Sequence, residues 1–70
     1  MYAITGISGK VGGAVAEALL QAGLPVRAVL RNPANAAAWA ARGCDIAIAD
    51  MTDAAALARA FENVDGAFIL

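Results

Sequence analysis

The 70-residue sequence predicts an α/β fold in which helices cover both faces of one open, parallel sheet. Three observations carry that prediction. Short β-rich runs alternate with helical segments along the chain, glycine, proline and capping residues punctuate the junctions, and no linker, low-complexity tract or repeat interrupts the pattern.

Met1 to Thr5 is short, β-rich and followed at once by Gly6, so a buried first strand is expected that starts at the first residue, with nothing expected ahead of the fold. From Lys10 to Ala22, the residues Val11, Val15, Ala18, Leu19 and Ala22 recur at three- and four-residue spacing and predict one apolar helical face. Gly23 closes that helix, and Pro25 prevents its continuation. Val26 to Leu30 reads as the second strand. Asn32 and Pro33 then supply an N-cap and a first-turn proline for a second helix that ends before Gly43. Ile46 to Ala49 is the third strand, and Thr52 or Asp53 caps a third helix whose apolar face is Leu57, Ala60, Phe61 and Val64. Gly66 precedes a fourth strand, Ala67 to Leu70.

Strands joined by helices of this length run parallel through right-handed crossovers. The expected strand order is 3-2-1-4, with a ligand crevice where the order reverses between the first and fourth strands. This is the N-terminal portion of a Rossmann-type, doubly wound sheet. The chain ends on the apolar run Ala67-Phe68-Ile69-Leu70 without a polar terminator, so the rest of the domain and the substrate region are expected in a longer chain.

Composition narrows the classes of function. The chain is 61% hydrophobic, but much of that is alanine, which favours helix and adds little core volume. Charged or glycine residues interrupt it well before about 18 consecutive apolar positions accumulate, and no basic segment precedes an apolar one at the N-terminus. A protein that neither enters a membrane nor is exported is expected. Five basic and six acidic residues are scattered singly, for a net charge of -1, which gives no footing for nucleic acid. Cys44 is the only cysteine and histidine is absent, so neither a disulfide framework nor a Cys/His metal cluster can form. A reducing cytoplasm fits.

The chemistry-bearing motif is Gly6-Ile7-Ser8-Gly9-Lys10-Val11-Gly12, immediately after a strand and running into a helix. Gly6 lets the chain leave the strand in a tight turn, a side chain at Gly9 would keep a pyrophosphate from the backbone N–H groups, and one at Gly12 would push the helix off the sheet. The free N–H groups and the helix dipole then face the anion. A glycine triplet alone is weak evidence and is also met in turns that bind nothing; its place inside a strand-helix-strand unit makes it a dinucleotide signature. A Walker-type loop is excluded, because Val11 follows Gly9-Lys10 where Ser or Thr would be needed to bind magnesium. Lys10 either faces the anion or extends into water.

In this fold the end of the second strand faces the adenosine ribose, where NAD-binding domains use an acidic residue. The sequence there is Leu30-Arg31-Asn32, without a carboxylate. Arg31 presents a fork of donors suited to a 2′-phosphate, which points to NADP(H), although a solvated Arg31 or use of both NADP and NAD fits the same residues. Asp50 either accepts a hydrogen bond from the adenine amino group, with Met51 packing nearby, or serves turn and capping chemistry ahead of Thr52 and Asp53. Trp39 and Cys44 read as packing residues, and Arg27, Arg42, Arg59, Glu17 and Glu62 as solvated faces.

These residues, Thr5-Gly6-x-x-Gly9-x-x-Gly12, Val29-Leu30-Arg31-Asn32-Pro33 and Ala49-Asp50, together resemble the NmrA-like atypical short-chain dehydrogenases and, among them, the NAD(P)H-dependent quinone reductases. The resemblance spans all 70 residues. It implies that the turn from Gly6 to Val11 contacts the pyrophosphate, Arg31 the 2′-phosphate, and Asp50 with Met51 the adenosine. It also implies an oxidoreductase that passes hydride to a quinone or similar small carbonyl acceptor, or else a dinucleotide sensor that binds NAD(P) without turnover and presents a surface to a protein partner. An isolated structural piece that holds no cofactor tightly is the third alternative. No catalytic residue is assignable. Tyr2 and Lys10 are the only residues of their types and cannot make the Tyr-x-x-x-Lys pair of ordinary short-chain dehydrogenases, although hydride transfer to a quinone leaves the chemistry to the cofactor.

Overall fold

A computed structural model describes residues 1–70 as a four-stranded, all-parallel sheet of order β3-β2-β1-β4 with helices on both faces. The strands are β1 (Tyr2–Ile4), β2 (Val26–Leu30), β3 (Asp45–Ile48) and β4 (Gly66–Phe68). The helices are α1 (Lys10–Gln21), α2 (Ala36–Ala40) and α3 (Ala54–Ala60), and a 3₁₀ turn, Pro33–Asn35, leads into α2. The expected strand order is therefore the observed one. β3 and β4 each start one residue earlier than the sequence pattern places them, and β4 stops at Phe68.

Alternation along β2 divides its side chains between two layers. Val26, Ala28 and Leu30 join Ile4, Ile7, Ala16 and Cys44 in a core under α1 and α2, and Trp39 packs against its edge. Val29 faces the other way, with Ala3, Ala49 and Ala60, under α3 and its partly buried Leu57 and Phe61. The many alanines let the helices lie close to the sheet, at the cost of a thin core. No helix is long and apolar enough to cross a membrane.

The face that α1 presents corrects the sequence reading. Its fully buried positions are Gly12 and Ala16, supported by Val15, Leu19 and Leu20, whereas Val11, Ala18 and Ala22 are exposed. Side-chain size is a poor guide here because the helix seats on the β1 turn through residues with almost no side chain. A β-carbon on Gly12 would collide with the Gly6 carbonyl and stand 2.7 Å from its carbon atom. The end of α1 follows expectation, with Gly23 at φ +77° just beyond the cap.

Asp53 caps α3 as expected, its side chain accepting from the Ala56 N–H, whereas Asn32, accepting from the Ala34 N–H, caps the 3₁₀ turn, and α2, with Asn35 at its N-cap position, has no side-chain cap. Three of the groups expected to be solvated, Arg27, Arg42 and Glu17, are instead engaged. Arg27 is 17% exposed and bonds Asp45 and two main-chain carbonyls, and Arg42 meets Glu17 through two hydrogen bonds while lying 5.2 Å from the Trp39 ring centroid. Their hydrogen-bond partners are 18 to 35 residues away in sequence, brought together by sheet register for Arg27 with Asp45 and by the packing of helices for the others.

The Arg42 hydrogen bonds hold the Glu17 carboxyl below the ordinary glutamate value. A carboxylate with a depressed folded-state pKa contributes stability above its unfolded value and loses it as pH falls through the folded one. Glu17→Gln is therefore expected to lower the melting temperature slightly at about pH 7 and to match the parent in acid, once the pH lies below the folded-state value. The effect is small because both groups are substantially exposed, and added salt shrinks it further. Thermal melts of the two proteins at neutral and acid pH check this; a gap that persists unchanged in acid would show that the pair contributes nothing through its charge.

Candidate functional site: a cleft at the switch point

The crevice expected between β1 and β4 is present at the C-terminal ends of the strands. It is a cleft of about 300 Å³ with three walls: Thr5 to Ser8 after β1, Val29 to Asn32 with Asn35 after β2, and Ala49 with Met51 after β3, while Leu70 closes the β4 side. Each wall follows from topology, since parallel strands deliver all their C-terminal loops to one edge.

Thr5 makes the floor. It is fully buried, and its backbone N–H donates to the Phe68 carbonyl at 2.9 Å while its hydroxyl donates to the same oxygen and accepts from the Leu70 N–H at 2.9 Å. β1 and the end of β4 are thereby locked side by side beneath the turn. Gly6 follows at φ +61°, a left-handed conformation in which a β-carbon would press on the Leu70 carbonyl oxygen at 3.1 Å. Ile7 then turns its side chain down into the core, where it is 1% exposed, so that this residue offers the cleft its backbone.

The turn closes through the Gly9 N–H, which donates to the Gly6 carbonyl at 2.9 Å, and the first bond involving α1 runs from the Gly13 N–H to the Gly9 carbonyl at 2.9 Å. Between these bonds, the N–H groups of Ile7, Ser8, Lys10, Val11 and Gly12 donate to no acceptor within the chain. α1 is 12 residues long and has no acidic side chain in its first turn to occupy them. A run of unpaired amides at the positive end of a helix dipole is an anion cradle.

Arg31 stands on the opposite wall, exposed and without an ion-pair partner. Asp50 lies next to that wall. Its Oδ1 accepts from the Thr52 N–H at 2.8 Å and the Thr52 hydroxyl at 2.7 Å, and these bonds, helped by the Arg31 charge, hold its carboxyl below the usual aspartate value. That is turn chemistry, and it keeps Met51 at the rim.

Of the nine residues singled out from the sequence, the cleft brings Gly6, Ile7, Ser8, Arg31 and Met51 together. Gly9, Lys10 and Val11 belong to the start of α1 beside it, with both side chains exposed, and Asp50 adjoins Met51 outside the lining. Sequence reasoning missed Asn35 and Leu70 as lining residues. Asn35 reaches the cleft because the 3₁₀ turn after Pro33 folds it back, its N–H donating to the Asn32 carbonyl at 3.2 Å. Leu70 could have been found from the expected strand order, which puts the end of β4 next to the glycine turn.

With this geometry in view, the model of the NmrA-like family matches residues 2–70. The chain belongs to the NmrA-like family. Quinone oxidoreductase 2 of Escherichia coli (strain K12) is 42% identical over 67 residues, which cover 93% of this chain and 23% of that protein. Among solved structures, the NADPH-dependent quinone oxidoreductase of Escherichia coli complexed with NADPH superposes with a TM-score of 0.88 at 40% identity, covering 99% of this chain and 25% of that one. The Citrobacter sp. triphenylmethane reductase complexed with NADP(H) superposes with a TM-score of 0.84 at 30% identity over 94% of this chain and 24% of that one. The NmrA-like chain thus spans about a quarter of the length of each of these relatives, the part that in this fold carries the phosphate turn and the ribose wall.

Proposed function

We propose that this NmrA-like chain holds NADP(H) in the cleft and that the full protein is an oxidoreductase passing hydride to a quinone or similar small carbonyl acceptor. The observation that carries the proposal is the pairing, across one cleft, of the unpaired amides from Ile7 to Gly12 with the unpaired Arg31. The first suits a pyrophosphate and the second a 2′-phosphate, at the two positions where an adenine dinucleotide presents them in this fold. The absence of a β-carbon at Gly6 and Gly12 fits the group too, since either would crowd the turn that bears the amides. The relatives crystallised with NADPH and NADP(H) support the same reading.

In this reading the bound reduced nicotinamide supplies the hydride. The residues of this chain bind and orient. The turn from Gly6 to Val11 anchors the pyrophosphate through backbone groups, with the Ile7 side chain held in the core. Arg31 pairs with the 2′-phosphate, and Met51, beside the Asp50 turn, lies against the adenosine. Elements beyond β4 would complete the acceptor pocket.

Titration of the full protein with NADPH, followed by nicotinamide fluorescence, is expected to saturate, and Arg31→Ala to weaken it about tenfold through loss of a charge-assisted contact. Addition of a quinone should then consume NADPH absorbance. Saturable binding without turnover of any quinone would assign a sensing role in place of a reductase, and no binding by the folded protein would sink the cofactor reading.

A further inference from the structure

The polar side chains lining the cleft differ in how much bonding capacity they retain. The Thr5 hydroxyl is fully used between Phe68 and Leu70, and the Asn32 Oδ1 is committed to the Ala34 N–H at 3.0 Å. Ser8, Arg31 and Asn35 make no side-chain hydrogen bond within the chain. Ser8 belongs to the phosphate turn. Arg31 and Asn35 both come from the segment after β2, the wall that meets the adenosine ribose, and the 3₁₀ turn places Asn35 on the cleft with Arg31.

We propose that Asn35 is a second ribose-reading residue and that it makes this site accept NADH as well as NADPH; the inference rests on the dinucleotide reading given above. The argument is one of charge and bonding capacity. Strong selection for a 2′-phosphate needs enough positive charge to balance it, and Arg31 is the only cation in the lining. Strong selection for a 2′-hydroxyl needs a carboxylate acceptor, and the lining has none. A carboxamide does neither. Its NH₂ donates to a phosphate oxygen, and its carbonyl accepts from a hydroxyl, so neither form of the ribose is left with an unpaired group or a like charge. Arg31 then supplies a modest preference for NADPH, and Asn35 keeps NADH within reach.

The test is the ratio of the NADH and NADPH dissociation constants in the full protein and in Asn35 variants, each checked for folding by circular dichroism. Asn35 is exposed and its side chain is unbonded, so substitution does not remove a contact that the fold needs. The parent is expected to prefer NADPH by no more than about tenfold, the worth of one partly exposed charge-assisted contact. Asn35→Lys should widen that preference by about tenfold, and Asn35→Asp should reverse it in favour of NADH. Asn35→Ala removes a partner from both forms of the ribose and should weaken NADH and NADPH alike, each severalfold. A parent preference above about a hundredfold, or a ratio that stays within about twofold in both the lysine and the aspartate variants, would overturn the assignment while leaving cofactor binding intact. Failure of the parent to bind either nucleotide would instead overturn the dinucleotide reading and Asn35 with it.

Discussion

Gly12→Ala is expected to cost about 3 kcal/mol or more of stability, the upper end for forcing one methyl into a packed interior, and to remove NADPH binding in whatever protein still folds. The methyl carbon would stand 2.7 Å from the Gly6 carbonyl carbon and 3.1 Å from the Ile7 Cα, besides colliding with the Gly6 carbonyl oxygen. All of these atoms are main chain. No rotamer change relieves the contact, so either α1 lifts off the sheet or the phosphate turn moves. Lifting α1 opens the core around Ala16 and Ile7, and moving the turn misdirects the amides between Gly6 and Gly13. Chemical denaturation and a nucleotide titration on the same samples measure both effects.

Its neighbours in the motif calibrate that prediction. Gly6→Ala must hold an alanine at φ +61° with its methyl 3.1 Å from the Leu70 carbonyl oxygen, a strain of about 1 to 2 kcal/mol. Gly9 caps α1 at φ −85°, an ordinary value, and its added methyl would meet only the Gly6 carbonyl oxygen at 3.3 Å. Gly9→Ala should therefore cost less than about 1 kcal/mol, and any larger loss should be in nucleotide affinity. The order of destabilisation Gly12, Gly6, Gly9 separates the seat of the helix from the geometry of the turn. An alanine at Gly12 tolerated as well as one at Gly9 would mean that α1 does not bear on the turn as described.

The motif was legible because its physical requirements are local. Gly6, Gly9 and Gly12 stand in one turn, and their spacing announces backbone exposure whatever the side chains between them are. Strand order was legible for a related reason, since helices between every pair of strands leave few ways to build a parallel sheet. The inward face of α1 was not. Periodicity weights large residues, and Val11 looked like core, yet it is 65% exposed because the contact with the sheet is made where side chains are smallest. Asn35 was hidden by its position in a capping segment, where only the sense of the 3₁₀ turn decides whether it faces the cleft or solvent. Arg27 was hidden more deeply, because all its partners arrive through crossovers.

That arginine carries the second large effect. Arg27 is the second residue of β2, opposite Ala3 of β1 and Asp45 of β3, on the face covered by α3. Its Nε donates to Asp45 Oδ2, and its Nη1 donates to the carbonyls of Ala60 and Glu62, each at 2.8 Å. Those carbonyls lie at and just past the end of α3, where the last carbonyls of a helix have no intrahelical N–H donor and carry the negative end of its dipole. Ala60 is 4% exposed, so water replaces the guanidinium poorly there. Arg27→Ala is accordingly expected to cost about 2 to 3 kcal/mol, with α3 the first element to lose amide protection. The ion pair with Asp45 is the lesser part, because the Asp45 side chain is half exposed and such pairs contribute at most about 1 kcal/mol. Asp45→Asn should thus leave the denaturation midpoint nearly unchanged, and Arg27→Lys should recover less than half of the loss, since an ammonium cannot reproduce the guanidinium fork. Equal losses in Arg27→Ala and Asp45→Asn would reverse the ranking and assign the effect to the ion pair; the geometry at Ala60 and Glu62 favours the carbonyl cap.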